Sequence, residues 1–317
     1  MRPWMVLGFV TACGGGAFDV DGGEDDAIGD TGDVSEDTAG VEETGEPPEP
    51  TRDVCARWNS DRLGMTEGSW SGSVASCDPG DISAEGRASA LRMVNLYRWL
   101  ADLPEVETST TRDEAAQACA LMMDANDALS HSPGSNWACY SQQGADAAAR
   151  SNISSGPGTM SVDMYMVDPG NDTTLGHRRW ILSNSAGPIG LGSTDDSSCM
   201  HILGGSGNAG RAWTAWPPPG GVPLQALNPD TVWWSTTDET GWSVQSDSID
   251  LRNAAVMVSR DGVALNVGVS ALAGGYGSSS ALAIRPSGWV TEPGTYTVTV
   301  EASQTIEYEV EVLDCGS

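Results

Sequence analysis

The chain has 317 residues, including 39 Gly and 17 Pro, and a formal net charge of −29. This length predicts two folded domains and a tail rather than one ordinary domain. The acidic balance excludes nucleic acid as the expected partner, because phosphates require clustered positive charge. All 15 basic residues are Arg. No apolar run reaches the ~18 residues of a membrane-spanning helix, so no transmembrane helix is predicted.

Residues 1–12, MRPWMVLGFVTA, place an arginine before a short apolar stretch that ends in small residues. This order is typical of a secretory signal peptide. The string VTAC, which ends at Cys13, resembles the lipobox of bacterial lipoproteins. The resemblance implies that the signal is removed and that Cys13 becomes a diacylated N-terminus. We therefore expect an exported bacterial protein, attached by lipid to the cell envelope at the surface or in the periplasm.

Residues 13–53 are predicted to form a disordered acidic linker behind the lipid. Gly, Asp, Glu, Thr and Pro dominate the segment, as in DGGEDDAIGDTGDVSEDTAGVEETGEPPEP. Such a composition cannot bury enough apolar surface to offset its ordering entropy, and like charges keep it extended. The aspartate spacing does not follow a calcium-loop pattern, so a solvated spacer is favoured over a metal site.

Six cysteines remain after Cys13, and an even number in an exported chain predicts disulfides. They are Cys55, Cys77, Cys119, Cys139, Cys199 and Cys315. None belongs to a CxxC pair, so a zinc knuckle is disfavoured. The sequence leaves the pairing open. By proximity along the chain we expect Cys55–Cys77, Cys119–Cys139 and Cys199–Cys315.

Two segments with apolar residues at helical spacing predict packed helices. DISAEGRASALRMVNLYRWLADL, residues 81–103, follows Asp81 or Ser83 as a cap. TMSVDMYMVD, residues 159–168, predicts a shorter helix between two stretches rich in Gly and Pro.

A further helix is predicted in TRDEAAQACALMMDANDAL, residues 111–129. It opens on Thr111, and Glu114 follows three residues later, which is the signature of a capping box. His131 comes directly after the end of this helix.

The segment LGHRRWIL, residues 175–182, contains one of only three histidines. A helix places His177, Trp180 and Ile181 on one side and leaves both arginines able to reach solvent. A strand would bury a guanidinium with the core residues, which is costly when the group is unpaired. We therefore predict a helix here, capped by Thr174.

Residues 215–317 differ from the preceding part of the chain in their pattern of apolar, polar and turn-forming residues. AWPPPGGVP, residues 215–223, is rich in helix and strand breakers. Six short runs that alternate apolar and polar residues follow: TVWWSTT, AAVMVS, ALNVGVS, SALAIRP, TYTVTVEA and IEYEVEVL. Turn signals separate these runs, so we predict an all-β, immunoglobulin-like sandwich domain.

A set of motifs lies in a fixed order within residues 81–205: ALSHSP, RSNISSG, DMYMVD, GHRRWIL and GPIGLGS. This ordered set resembles the CAP superfamily (cysteine-rich secretory, antigen 5 and pathogenesis-related proteins; the SCP domain), in its bacterial branch. The resemblance implies that residues 54–214 form an α-β-α sandwich with an open cleft, so the expected fold class is α+β. In the family, two His and two acidic residues line that cleft.

Carried over by position, His131 and His177 match the two family histidines. Asp168 matches the second acidic position, three residues after Tyr165. The first acidic position falls on Ser151, so the constellation lacks one carboxylate.

Two chemical roles are open for these residues. His131, His177 and Asp168 are three candidate Zn²⁺ ligands, with a further position for water or substrate. The other role is structural, with the histidines satisfying backbone groups or bracing the cleft through a water. Because no short-range ligand spacing such as HExxH occurs, we favour the structural role and expect no resident cofactor.

The leading functional hypothesis is a binding or structural module of the cell envelope, for which the family resemblance implies a lipid or another small apolar ligand in the cleft. The alternative is a His-dependent hydrolase of peptides or lipids, with or without Zn²⁺. No G-x-S-x-G elbow marks a nucleophile, and Ser132 and Ser151 are candidates by sequence adjacency alone. A third hypothesis places binding in the loops of the sandwich.

His201, in CMHIL, matches no family position and is expected to be buried or half-buried. GGSGNAG, residues 204–210, contains a G-x-G-x-x-G match, but no helix is predicted after it. A loop is therefore favoured over a nucleotide site.

Overall fold

The computed structural model describes residues 53–316, and these residues belong to one compact unit. The predicted signal peptide, the lipidation site Cys13 and the linker up to residue 52 lie outside the described residues. Within the described range, no helix has the length and apolarity needed to cross a membrane.

The helices of the described range are α1 (Val54–Arg62), α2 (Ala84–Leu100), α3 (Thr110–Asn126), α4 (Gln142–Ala148), α5 (Gly158–Val167), α6 (Gly176–Ile181), α7 (Leu224–Leu227) and α8 (Thr237–Thr240). The strands are β1 (Ser151–Ser154), β2 (Gly190–Ser193), β3 (Ser198–His201), β4 (Thr214–Trp216), β5 (Gly220–Pro223), β6 (Trp242–Ser246), β7 (Ala255–Arg260), β8 (Val263–Leu265), β9 (Val267–Leu272), β10 (Ser280–Pro286), β11 (Gly294–Glu301) and β12 (Thr305–Leu313). The mixture confirms the α+β class.

The predicted helices occur, although their caps differ in part. Ser83 caps α2, because its hydroxyl accepts a hydrogen bond from Gly86 N at 3.4 Å. The predicted capping box at Thr111 is wrong, since α3 already begins at Thr110. Its N-cap, Ser109, makes no side-chain capping bond.

The N-terminal half consists of three layers around an antiparallel sheet of order β1-β3-β2. Successive side chains of a strand point to opposite faces. Cys199 of β3 belongs to a buried cluster with Met123 of α3. Met200, the next residue, belongs to a separate cluster with Val94 of α2 and Val162 of α5. The sheet therefore lies between α3 on one side and α2 with α5 on the other, as an α-β-α sandwich.

Helix α3 lies directly on the edge strand β2. A Cβ at Gly192 would come within 2.2 Å of the backbone of Ala116, so only glycine permits this approach. The Gln117 amide donates to Ser193 O at 2.8 Å and accepts from Ser193 N at 3.1 Å. Strand β2 lies at the edge of the sheet, where its outer side has no neighbouring strand. The Gln117 side chain of α3 pairs with backbone groups that would otherwise lack a partner there.

The C-terminal half consists of two packed sheets, of order β4-β6-β10-β9 and β5-β12-β11-β7-β8. Val244 of β6 and Leu282 of β10 share one buried cluster with Val298 of β11 and Val310 of β12. Apolar side chains from both sheets therefore meet in a common core, as in a sandwich.

Four of the six predicted runs form strands, namely AAVMVS, SALAIRP, TYTVTVEA and IEYEVEVL. ALNVGVS divides at Asn266 into β8 and β9, which lie in different sheets. The strand predicted for TVWWSTT is wrong. A 3₁₀ helix (Asp230–Val232) occupies its start, and a capping box between Thr236 and Glu239 begins α8 at its end.

The two halves share one hydrophobic core. Tyr97 of α2 and Trp216 of β4 are both fully buried, and their rings meet edge to face with 5.4 Å between centroids. The predicted domain division at residue 215 stays a prediction. The architecture changes near that residue, while the packing continues across it.

Arg178 of α6 is wholly buried at the junction of the halves. Its guanidinium donates to the carbonyls of Met166 (2.6 Å) and Val167 (3.0 Å) at the end of α5. On the other side it donates to Gly241 O (2.6 Å) and to the Thr240 hydroxyl (3.0 Å). Burial lowers the pKa of Arg178 to about 10, so the group stays charged at neutral pH and joins the two halves.

Arg179 is also buried and joins the same halves. It donates to Thr174 O at 2.9 Å and to Ala273 O at 2.7 Å, and it reaches both the carbonyl and the hydroxyl of Ser278. The expectation that both arginines reach solvent is therefore wrong. Carbonyl and hydroxyl acceptors at the ends of helices and in the connections between strands offset the cost of burying the guanidinium groups.

The helix predicted for LGHRRWIL is confirmed as α6, but its predicted cap is not. The N-cap is Leu175, which has a left-handed backbone with φ 44°. Thr174 accepts a hydrogen bond from Gly176 N at 3.3 Å without being the cap.

The described residues contain three disulfides, which use all six predicted cysteines. They are Cys55–Cys315, Cys77–Cys139 and Cys119–Cys199. All three pairings expected from proximity along the chain are therefore wrong. The fold brings together cysteines that are 62 to 260 residues apart.

Replacing Arg178 by Lys tests whether this side chain stabilises the junction between the two halves. A lysine ammonium has three donors on one atom and cannot reach acceptors on both sides, so carbonyls are left unpaired. We expect the free energy of unfolding in urea, with disulfides intact, to fall by about 2–4 kcal/mol. Arg252→Lys is the control, because the side chain of Arg252 is 70% exposed. Equal behaviour of the two variants would contradict this role of Arg178.

Candidate functional site

The candidate site is built around Asp168, which ends α5. This residue has a left-handed backbone with φ 60° and is wholly buried. Its Oδ1 accepts from His177 Nδ1 at 2.9 Å and from Asn171 Nδ2 at 2.7 Å. Its Oδ2 accepts from the backbone N–H groups of His177 (3.0 Å) and Arg178 (3.4 Å). Both oxygens are therefore engaged, and the carboxylate fixes the start of α6.

The bond to Asp168 determines the protonation of the His177 ring. Because a carboxylate only accepts, Nδ1 carries the proton and Nε2 carries the lone pair when the ring is neutral. The His177 side chain is 20% exposed, and the Tyr165 ring lies against it with 5.1 Å between centroids. Its backbone carbonyl accepts from Asn152 Nδ2 at 3.0 Å. The imidazole is thus held in one orientation with one edge toward solvent.

His131 lies in the connection between α3 and α4 and is oriented in a similar way. Its Nδ1 donates to Ala148 O at 2.8 Å, which again leaves the lone pair on Nε2. Burial lowers the pKa of His131, and the nearby charge of His177 lowers it further. The neutral imidazole is therefore the favoured form. The structure places the two rings within electrostatic reach of each other.

Ser151 begins β1 and is 2% exposed. Its hydroxyl donates to Ala147 O at 2.7 Å. A carboxylate at this position would meet a carbonyl oxygen without a proton to donate, so a hydroxyl suits the site better. The hydroxyl proton is engaged with a backbone carbonyl and not with either imidazole.

The three predicted Zn²⁺ ligands do not fit a shared metal site. Asp168 already accepts from N–H donors at both oxygens, and it orients His177 instead of facing an ion. Within residues 53–316, no group of three or more His, Cys, Asp or Glu side chains is placed to hold a metal ion. His131 and His177 retain their Nε2 atoms for contacts with a ligand.

Sequence reasoning missed two residues of this site. Asn171 lies in the PGND turn, where its amide donates to Asp168, and Asn152 follows Ser151 in β1. The spacing of three residues between Asp168 and Asn171 is the one local signal for the first. His201 is half-buried, as expected, at the end of β3.

An α-β-α sandwich with two oriented histidines, one after α3 and one at the start of α6, defines the class of module. Residues 91–203 match the family model CAP, the cysteine-rich secretory protein family. This segment is slightly more than a third of the chain and contains all four predicted cleft residues. Residues 91–203 are thus a CAP module. No curated protein matches the chain significantly.

Replacing Asp168 by Asn tests the orientation of His177. An amide has one accepting oxygen, and its NH₂ group faces donors, so Nδ1–H or the backbone N–H groups lose a partner. We expect the nitrogen NMR shifts of the His177 ring to change from those of a single Nδ1–H tautomer to those of a mixture of the two neutral tautomers. Asp172→Asn, at an exposed neighbouring carboxylate, should leave the tautomer unchanged. A fixed Nδ1–H tautomer in both variants would show that Asp168 does not set it.

Proposed function

We propose that the protein is an exported, lipid-anchored bacterial protein of the cell surface or periplasm, and that its CAP module binds a small ligand. The ligand is a lipid or another small apolar molecule with a hydrogen-bond donor at one end. His131 and His177 accept from that donor through their Nε2 atoms. The C-terminal sandwich serves as the rigid support of the module.

Export is supported by three disulfides in the described chain and by the CAP module, which together indicate an extracellular or exported protein. Cys13 and the preceding apolar residues supply the remaining part of the proposal, the lipid anchor. A net charge of −29 disfavours binding to nucleic acid.

The observation that carries the binding role is the way in which the cleft side chains are engaged. Both imidazoles have Nδ1 fixed by an acceptor, and the Ser151 hydroxyl donates to a carbonyl. The site therefore offers two oriented acceptors. A cavity beside Tyr165 has a volume of about 10 Å³, which is room for one water and too small for the apolar part of a ligand.

Hydrolysis is the second candidate, and the Asp168–His177 pair favours it. A carboxylate at Nδ1 holds the imidazole in the tautomer that a general base requires. Hydrolysis also requires a nucleophile within reach of Nε2. Ser151 does not supply one, because its hydroxyl donates to Ala147 O. Binding is therefore the better supported function.

Hexadecanol tests the binding role, with hexadecane as the probe that lacks a donor. We expect the full-length protein to bind hexadecanol in preference to hexadecane in fluorescence titrations. His177→Phe should weaken hexadecanol binding by about tenfold or more, the effect of losing one good hydrogen bond. His201→Phe removes an imidazole outside the cleft and should leave that binding unchanged.

Equal binding of both probes, or unchanged binding in His177→Phe, would contradict the assigned cleft contacts. Hexadecyl acetate distinguishes the second candidate. Its hydrolysis by the wild type but not by His177→Phe would show a hydrolase and overturn the purely binding role.

The anchor is tested by replacing Cys13 with Ser. Diacylation requires the thiol, so the variant should move from the membrane fraction to the soluble fraction of the producing cells. Thr11→Ser keeps the thiol and should remain in the membrane fraction. Membrane retention of Cys13→Ser would refute the lipid anchor.

A further inference from the structure

Two arginines and a histidine lie at one end of the sheet β1-β3-β2. His201 is the last residue of β3, and its register partners are Ser151 in β1 and Gly190 in β2. Arg150 directly precedes Ser151. The sheet register thus brings the chain around Arg150 next to His201.

Arg112 of α3 approaches the same end from the helix layer. A Cβ at Gly190 would lie 2.3 Å from the backbone of Arg112 and 2.6 Å from its Cβ, so the helix rests on the strand partner of His201. The Arg112 guanidinium donates to Gly204 O at 2.6 Å. It therefore lies beside the loop that continues directly from β3.

Arg150 is tied to the same loop through its backbone. Its carbonyl accepts from Ile202 N at 3.1 Å and from Leu203 N at 3.0 Å. The backbone is fixed by these bonds, while the residue as a whole is exposed. The Arg150 side chain thus extends into solvent from a fixed backbone position beside His201.

The electrostatics of this cluster are unusual for a chain with a net charge of −29. Burial and then the charge of Arg150 lower the pKa of Arg112. Burial, Arg112 and Arg150 lower the pKa of His201 to about 4. These two charges, those of Arg112 and Arg150, are positive. An anion bound beside them would therefore be attracted by both arginines.

His201 contributes a second observation. Its Nδ1 atom is buried and makes no hydrogen bond within the described part of the chain. A buried polar atom without a partner is costly and needs an explanation. Because Nδ1 is buried, an acceptor from solution reaches it only when the imidazole turns toward the arginines, and a protonated His201 then has a donor at each ring nitrogen.

We propose that Arg112, Arg150 and His201 form a binding site for a phosphate oxyanion. A guanidinium group offers forked N–H donors, which can bind two oxygens of a phosphate at once. The anion offsets the repulsion between the two arginines and permits His201 to be protonated. The site lies outside the four cleft positions and goes beyond the proposed function of the cleft. Free phosphate and a phosphomonoester lipid headgroup present the same chemistry.

Inorganic phosphate and phosphatidic acid vesicles are the two probes for this site, used with the full-length protein. In the first experiment, phosphate is titrated while the ring NMR signals of the three histidines are followed, with His201 assigned through His201→Asn. We expect saturable shifts at His201. Below about pH 5, where phosphate is already a monoanion, binding should tighten as the pH falls, because protonation of His201 adds a donor and a positive charge. In the second, sedimentation with the vesicles is compared with phosphatidylcholine vesicles.

Arg150→Gln is the test variant, since the exposed side chain can change without disturbing the fold. It should weaken binding of whichever probe binds by about tenfold or more, as expected for one lost charge-assisted contact. Arg92→Gln removes the same charge from an exposed position of α2 and should bind like the wild type.

Saturable binding of inorganic phosphate supports a soluble ligand, and binding of phosphatidic acid vesicles alone supports a lipid headgroup. Binding of neither probe overturns the proposal. Equal weakening in Arg150→Gln and Arg92→Gln also overturns it, because net charge would then account for the effect. Neither result depends on hexadecanol binding in the cleft, so each proposed function can be contradicted without the other.

Discussion

The burial of two guanidinium groups at the start of α6 is the interaction on which the rest of the structure depends. Arg178 and Arg179 have no exposed surface of consequence, and their donors are divided between the CAP module and the sandwich. Leaving such a group unpaired in the interior is far more costly than a missing apolar contact. The two halves therefore have one mutual arrangement in which these cations are satisfied, and the shared core forms around it.

Helix α6 contains both the arginines of the junction and His177 of the candidate site. A displacement of one therefore displaces the other. His177 precedes Arg178, and Asp168 accepts from the backbone N–H groups of both residues. A shift of the sandwich relative to the module would move Arg178 and, through that carboxylate, the imidazole. The sandwich thus contributes to the precision with which His177 is held. This coupling gives a physical reason why the CAP module is continued by a β-sandwich in one compact unit.

Local features were predictable from the sequence, whereas features that depend on distant acceptors were not. Helical periodicity sufficed for α2 and α3, because each signal lies within the element itself. The assignment of His131 and His177 to a cleft comes from motif order and stays a prediction. The burial of Arg178 was not predictable, since its acceptors at Thr240 and Gly241 lie more than 60 residues away. The cysteine pairing failed for the same reason, because only the completed fold determines which thiols meet.

The disulfide between Cys55 and Cys315 has a topological consequence. The Cα atoms of the two residues are 5.0 Å apart although 260 residues separate them along the chain, so the folded unit is closed into a covalent ring. A protease that cuts one loop within the ring opens it without releasing a fragment. A pulling force applied to the two ends of the ring passes through one sulfur–sulfur bond and leaves the enclosed sheets and helices unloaded.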